Sequence, residues 1–217
     1  MPNKFNKSKV AQLLIDSIDE SRLEYDRLNE ARLSDAPEYF ITVNSVKKLS
    51  NEFNYDDVTM EWNVRDALDY IKNKNGKTGK KPGRPFSGLR ENGRFDIVLW
   101  KEDLPWGIVE VKKDIWTTEK YIPDIKRIRA VLKTSENFDK ELTLNWFFLF
   151  YLQREDDRVR SKRAEHKILD FLRSMQEKVE SELNDEFSFN VARGESVRYK
   201  GEFKNWAQQP FCFIIHN

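Results

Sequence analysis

The chain has 217 residues, 39% of them hydrophobic, 13% aromatic and 35% charged, with a mean hydropathy of −0.76. That length suits one domain with a substantial core, and no apolar run approaches the ~20 residues a membrane helix needs. With 38 basic and 37 acidic residues, one cysteine and two histidines, composition argues against a generally basic nucleic-acid coat, a disulfide framework and zinc chemistry.

Any metal would therefore be a hard cation on carboxylates. The start MPNKFNKSKV lacks the apolar segment of a signal peptide, so a cytoplasmic location is expected.

Residues 8–33 read as an amphipathic helix with Leu14, Ile18, Tyr25 and Leu28 at helical spacing. SDAPEYFITVNSVKKLSNEF predicts a second helix. Ser34 or Asp35 would cap it, Pro37 would sit in its first turn, and Val43, Val46 and Phe53 would form its buried stripe. In DVTMEWNVRDAL, Val58, Met60, Trp62 and Val64 alternate with polar residues, the pattern of a strand with one buried face. Residues 72–92 are rich in Gly, Lys and Arg and read as a long loop. The hairpin GRFDIVLWKEDLPWGIVEVKK follows, then a helix in YIPDIKRIRAVLK and a strand in LNWFFLFYL apolar enough for the sheet interior. A long helix with the stripe Ile168, Leu172, Met175 and Val179 comes next. FSFNVARGESVRYKG and QQPFCFIIH supply terminal strands, either as a dimer surface or as an extension of the sheet. Helices interleaved with a mixed sheet predict a layered α/β (α+β) architecture in a single domain.

The hairpin places ionisable groups among apolar neighbours. Residues two apart on a strand share a face, so Glu110 and Lys112 project together while Val109 and Val111 point away. On the preceding strand Asp96, Val98 and Trp100 share one face, and Phe95, Ile97 and Leu99 the other. A turn centred near Asp103 sets Asp96 opposite Glu110, with Cβ atoms roughly 4.5–5.5 Å apart; a shift of register by two would bring it to Lys112. Two carboxylates that close repel unless a proton or a cation lies between them.

FDIVLW…GIVEVKK resembles the PD-(D/E)xK nuclease superfamily, which includes restriction endonucleases and repair nucleases. The motif is Asp96 on one strand, then Glu110, Val111 and Lys112 on the next, with Phe95 where the family name places proline. The family order of helix, three strands, helix and strand matches residues 36–152. Residues 1–35 would form an N-terminal helix and 153–217 a C-terminal helix and strands. The resemblance implies a restriction-endonuclease-like three-layer core and hydrolysis of DNA phosphodiesters, in restriction, defence or repair. It implies Mg²⁺, with Mn²⁺ able to substitute, on Asp96, Glu110 and the Val111 carbonyl. Lys112 would orient the attacking water and stabilise phosphoryl charge. A further acid from the first core helix is expected, Glu38 fitting better than Glu61. A homodimer, or a partner subunit of a restriction or defence system, is the assembly expected by analogy.

Lys72, Lys74, Lys77, Lys80, Lys81, Arg84, Arg90 and Arg94 lead into Asp96 against the single acid Glu91, a charge pattern suited to DNA phosphates. Arg84 within PGRP is similar to arms that reach into the minor groove. Gly76-Lys77-Thr78 copies the end of a phosphate-binding loop, but the motif needs glycine at position 71, where Ile71 stands. Lys126, Arg127, Arg129 and Lys133 on the following helix are phosphate contacts or a solvated face. Trp106 and Trp116 are chiefly packing residues that could also stack a base. Two rivals stand beside the nuclease: a catalytically inactive nucleic-acid-binding module of the same fold, and a protein whose Asp-Glu-Lys cluster is only an ion-pair network.

Overall fold

The computed structural model describes residues 5–29, 32–74, 93–138, 142–156, 163–200 and 205–217. The elements run α1 (Lys7–Asn29), α2 (Glu38–Glu52), β1 (Val58–Asn63), α3 (Val64–Lys74), β2 (Arg94–Lys101) and β3 (Leu104–Lys112). Then come α4 (Ile122–Phe138), β4 (Asn145–Asp156), α5 (Arg163–Leu183), β5 (Ser188–Arg193), β6 (Val197–Lys200) and β7 (Asn205–His216). Among the described residues the strands form one seven-stranded open sheet ordered β1-β2-β3-β4-β7-β5, with β6 also on β7. The β3–β4 pair is parallel and the others are antiparallel. The protein is therefore of mixed α+β class.

Burial on both faces of the sheet follows from β4, whose run WFFLFY has no polar side. Trp146, Phe148 and Phe150 enter one core with residues of α3, α4 and α5. Phe147, Leu149 and Tyr151 enter the other with residues of α1 and α2. On α5, Ile168, Leu172, Met175 and Val179 are fully buried, as their spacing predicts. The terminal strands extend the sheet: β7 pairs along its whole length with β4 and carries β5 on its other side. Among the described residues no helix is long and apolar enough to cross a membrane.

Several expected boundaries move. The first helix ends at Asn29, and its Leu28 is 60% exposed rather than buried. Ser34 and Asp35 lie in a short 3₁₀ turn, and Pro37 occupies the cap position before Glu38 opens α2. The buried face of α2 is Ile41, Thr42, Ser45 and Leu49; Val43 is 38% exposed, whereas Phe53 is buried and Val46 packs at the margin. The largest departure is α3. Val64 continues the alternation of β1 but belongs to a helix whose Val64, Ala67, Leu68 and Ile71 are buried. Asn63 starts it: its Oδ1 accepts the backbone N–H groups of Arg65 (2.8 Å) and Asp66 (3.3 Å), as an N-cap asparagine does. The helix runs to Lys74 and so takes in the first residues of the expected loop; the rest of that segment, 75–92, lies outside the described residues.

Gly194 lies just after β5, where its N–H donates to the Pro210 carbonyl at 3.0 Å. A Cβ there would sit 2.5 Å from Pro210 Cγ and 2.7 Å from Ile15 Cγ2, two groups held by the sheet and α1. Gly194→Ala is expected to destabilise the protein by about 1–3 kcal/mol through overpacking, measured as a lowered denaturation midpoint at unchanged m-value.

Candidate active site

The β2–β3 hairpin turns on Glu102 and Asp103, both in the left-handed region (φ 53° and 63°), as a two-residue hairpin turn requires. A bulge then adds Trp106: pairing passes from Trp100↔Pro105 to Leu99↔Gly107. The carbonyl freed there accepts Asn145 Nδ2 at 2.9 Å. Beyond the bulge the register runs Val98↔Ile108 and Ile97↔Val109 and ends there, one step short of an Asp96↔Glu110 pair. The register symmetric about Asp103 that the sequence predicts is thus reached as far as Ile97↔Val109, through a shorter turn and one extra residue, and does not extend to Asp96.

Asp96 itself belongs to neither ladder. Pairing with β1 skips from Met60↔Ile97 to Trp62↔Phe95, and pairing with β3 ends at Ile97↔Val109. Opposite the skip, Glu61 is left-handed (φ 54°), a costly conformation for a non-glycine residue inside a strand. This break alters the alternation too, since Phe95 packs against Trp146 in the core that holds Val98 and Trp100, not with Ile97 and Leu99. Released from the ladder, the Asp96 carboxylate reaches across to β3 and accepts the Val111 N–H at 2.7 Å.

Glu110 and Lys112 project together, while Val109 and Val111 enter the opposite core. Glu110 is only 4% exposed. Lys112 Nζ stands 3.2 Å from Glu110 Oε1, 3.6 Å from Glu38 Oε1 and 3.7 Å from Asp124 Oδ2. Arg127, one helical turn after Asp124 on α4, brings its guanidinium to 2.5 Å from Glu110 Oε2 and 3.6 Å from Asp124 Oδ1. The first of these is an ion pair outside hydrogen-bond geometry: among the described residues Glu110 Oε2 and Arg127 Nη2 are buried without a hydrogen bond.

Glu38 joins this group and Glu61 does not. The Glu38 carboxylate also accepts the Lys113 N–H at 3.1 Å, whereas Glu61 pairs with exposed Arg94 at 3.3 Å. Lys113 ties the two elements together, its ammonium donating to the carbonyls of Ser34 (3.0 Å) and Ala36 (2.6 Å) in the turn before α2.

Burial raises the Asp96 carboxyl to about 6 despite the Val111 N–H, and raises Glu110 to about 7 with the neighbouring Asp96 charge adding to the effect. Burial alone would lower the Lys112 ammonium. The carboxylates of Glu110, Glu38, Asp124 and Asp96 outweigh it and hold Lys112 above the ordinary lysine value.

Among the described residues no three His, Cys, Asp or Glu side chains form a metal-binding cluster. The carboxylates at hand are two, Asp96 and Glu110, and Glu110 Oε2, which lacks a hydrogen bond, faces the Arg127 guanidinium at 2.5 Å. Carboxylates are the donors that Mg²⁺ takes, commonly one or two with water and substrate phosphate completing its shell.

Sequence reasoning missed Asp124 and assigned Arg127 to DNA or solvent. Their signal was an i, i+3 acid–base pair on the helix after the motif strand. The other basic residues of α4 turn to α5 and the segment after it: Arg129 and Lys133 pair with Glu186 (2.8 and 2.7 Å), and Lys126 with Glu182 (3.6 Å). Trp106 packs on Phe5 and Phe147, and Trp116 on Phe171 and Arg154. Lys77, Lys80, Lys81, Arg84 and Arg90 lie outside the described residues. Compared with protein-family models, curated proteins and solved structures, the chain finds no match.

The raised carboxyl values carry a linkage. Between the ordinary carboxyl range near 4 and the folded values of about 6 and 7, the folded protein holds protons that the unfolded chain has released. Without divalent metal, stability is therefore expected to fall as pH rises from 5 to 8, by on the order of 4 kcal/mol. Thermal unfolding in EDTA across that range should show the slope in the wild type and a clearly smaller one in Glu110→Gln. Equal slopes would mean that Glu110 does not titrate in this window.

Proposed function

We propose that this chain is a metal-dependent endodeoxyribonuclease of the PD-(D/E)xK type. The observation that carries this reading is the meeting of Glu110, Lys112 and Glu38, with Lys112 Nζ 3.2 Å from Glu110 and 3.6 Å from Glu38, and with the Asp96 carboxylate bonded to the backbone N–H of Val111 between Glu110 and Lys112. The order α2, β1, β2, β3, α4, β4 supports a restriction-endonuclease-like core, with α3 inserted between its first two strands.

Asp96 and Glu110, with the Val111 carbonyl supplied by the resemblance, would hold Mg²⁺ or Mn²⁺. Bound there, a hard divalent ion polarises the scissile phosphate and lowers the pKa of a coordinated water. Water adds to phosphorus and the ester P–O bond breaks, with no covalent enzyme intermediate. Lys112, kept protonated by its acidic neighbours, acts as a fixed cation: it orients the water and offsets charge developing on the phosphoryl oxygens. It is not the base. Glu38 is a positioning residue that holds Lys112 from one side and the Lys113 backbone from the other. Arg127 balances the buried Glu110 charge from α4. Lys77, Lys80, Lys81, Arg84, Arg90 and Arg94 are proposed to meet the DNA phosphates.

One observation favours a different account. The Arg127–Glu110 contact of 2.5 Å resembles the centre of a buried ion-pair network with no chemistry. Such a network predicts no affinity for Mn²⁺, and a Glu110→Gln variant changed in stability alone.

Supercoiled plasmid and linear DNA incubated with Mg²⁺, Mn²⁺ or EDTA decide between them. The wild type is expected to nick or cut only with metal, and Lys112→Ala to lose about 10²-fold or more of the rate. Mn²⁺ binding without cleavage would indicate the inactive binding module, and neither would indicate the ion-pair network. Activity equal in the wild type and Lys112→Ala would remove Lys112 from the mechanism.

A further inference from the structure

A second site lies near the hairpin turn, away from the carboxylates of the proposed active centre. Trp62 at the end of β1, Tyr70 on α3 and Trp100 on β2 meet with ring centroids 5.1–6.3 Å apart and ring planes at 65–72° to one another. Rings set so steeply make a corner rather than a stack, so more than one π face can meet a group lodged against them. Beside them is a cavity of about 250 Å³ lined by the three rings, Thr59 and three acids, Asp56, Asp57 and Asp103. The wall is well fixed on one side: Trp100 is nearly buried, and its indole N–H donates to Thr59 Oγ1 at 2.7 Å. Tyr70 on the other side is 48% exposed.

Among the described residues the lining has a single sign of charge. Among the described residues no lysine or arginine pairs with Asp56, Asp57 or Asp103, and no basic side chain lines the cavity. Three like charges around one opening repel each other and favour a cation between them. These acids do not gather into a metal cluster among the described residues, and spread around the opening they suit a cation broad enough to meet several of them. Aromatic faces make the same choice: the ring quadrupole attracts a large, weakly hydrated organic cation. Nucleic acid is disfavoured, because phosphates would meet three carboxylates.

From this we infer that the Trp62–Tyr70–Trp100 corner binds a methylated ammonium group, held by cation–π contact and by the charge of Asp56, Asp57 and Asp103. The site is independent of the nuclease reading and stands or falls by its own test.

Tryptophan fluorescence and calorimetry of the full chain provide that test. Choline and Nα-acetyl-Nε-trimethyllysine methylamide are the cationic probes. 3,3-Dimethyl-1-butanol, the neutral carbon analogue of choline, is the control. Saturable binding of at least one cationic probe, about tenfold tighter than the control, is expected from a partly desolvated cation–π site. Which probe binds better separates a small free cation from a lysine side chain, and sedimentation with phosphatidylcholine vesicles reads the lipid headgroup. Two variants spare the fold. Tyr70→Ala removes an exposed ring, and Asp103→Asn keeps a residue tolerant of the left-handed turn. Each should weaken binding several-fold. Equal affinity for the neutral analogue, no saturable signal from either ammonium probe at millimolar concentration, or binding unchanged in both variants would overturn the inference.

Discussion

A carboxylate in the middle of a buried strand governs this architecture. Glu110 lies on β3, an interior strand with β2 on one side and β4 on the other, and it is almost fully shielded from water. An isolated charge there would cost far more than a single domain's net stability tolerates. Two neighbours answer it, Lys112 from the same strand and Arg127 from α4, together with a raised affinity for a proton. The helix α4 is thus held to the sheet by charge as well as by Ile125, Ile128 and Leu132. An arrangement this expensive is uncommon as a structural device, because an apolar residue of similar volume would often serve stability as well or better.

The second constraint is the interruption of β2. A regular ladder would engage the Asp96 backbone on both sides and leave its side chain perpendicular to the sheet. The left-handed Glu61 and the skipped pairing free it to reach the Val111 N–H. The hydrogen bond lowers the carboxyl's proton affinity while burial raises it, and burial prevails. The lysine pair divides its labour in a comparable way. Lys112 turns into the acidic cluster, and Lys113 turns back to the carbonyls of Ser34 and Ala36, which brings Glu38 beside its neighbour.

Much of this was legible in the sequence because period-2 alternation is a local property. The pairing of Glu110 with Lys112, and the apolar role of Val109 and Val111, follow from spacing alone. The face of Phe95 did not, because the break at Glu61 is backbone strain that no residue type announces. The helix α3 was hidden where Val64 prolongs a strand pattern by one residue, though Asn63 was a readable cap. Val43 and Leu28 looked like core residues by spacing and are exposed, because a helix's neighbours and not its periodicity decide which of its apolar positions are covered.

By itself the sequence determined the class of fold, the strand that carries the charges and the residue types able to bind a hard cation or steady a phosphate. Those follow from side-chain chemistry and from the repeat of the backbone, both local. Only the tertiary structure decided that Glu38 and not Glu61 enters the site, that Asp124 and Arg127 belong to it, and that Trp62, Tyr70 and Trp100 meet at one corner. Each of these depends on residues distant in the chain sharing a few ångströms, which packing around the buried sheet sets and no local pattern encodes.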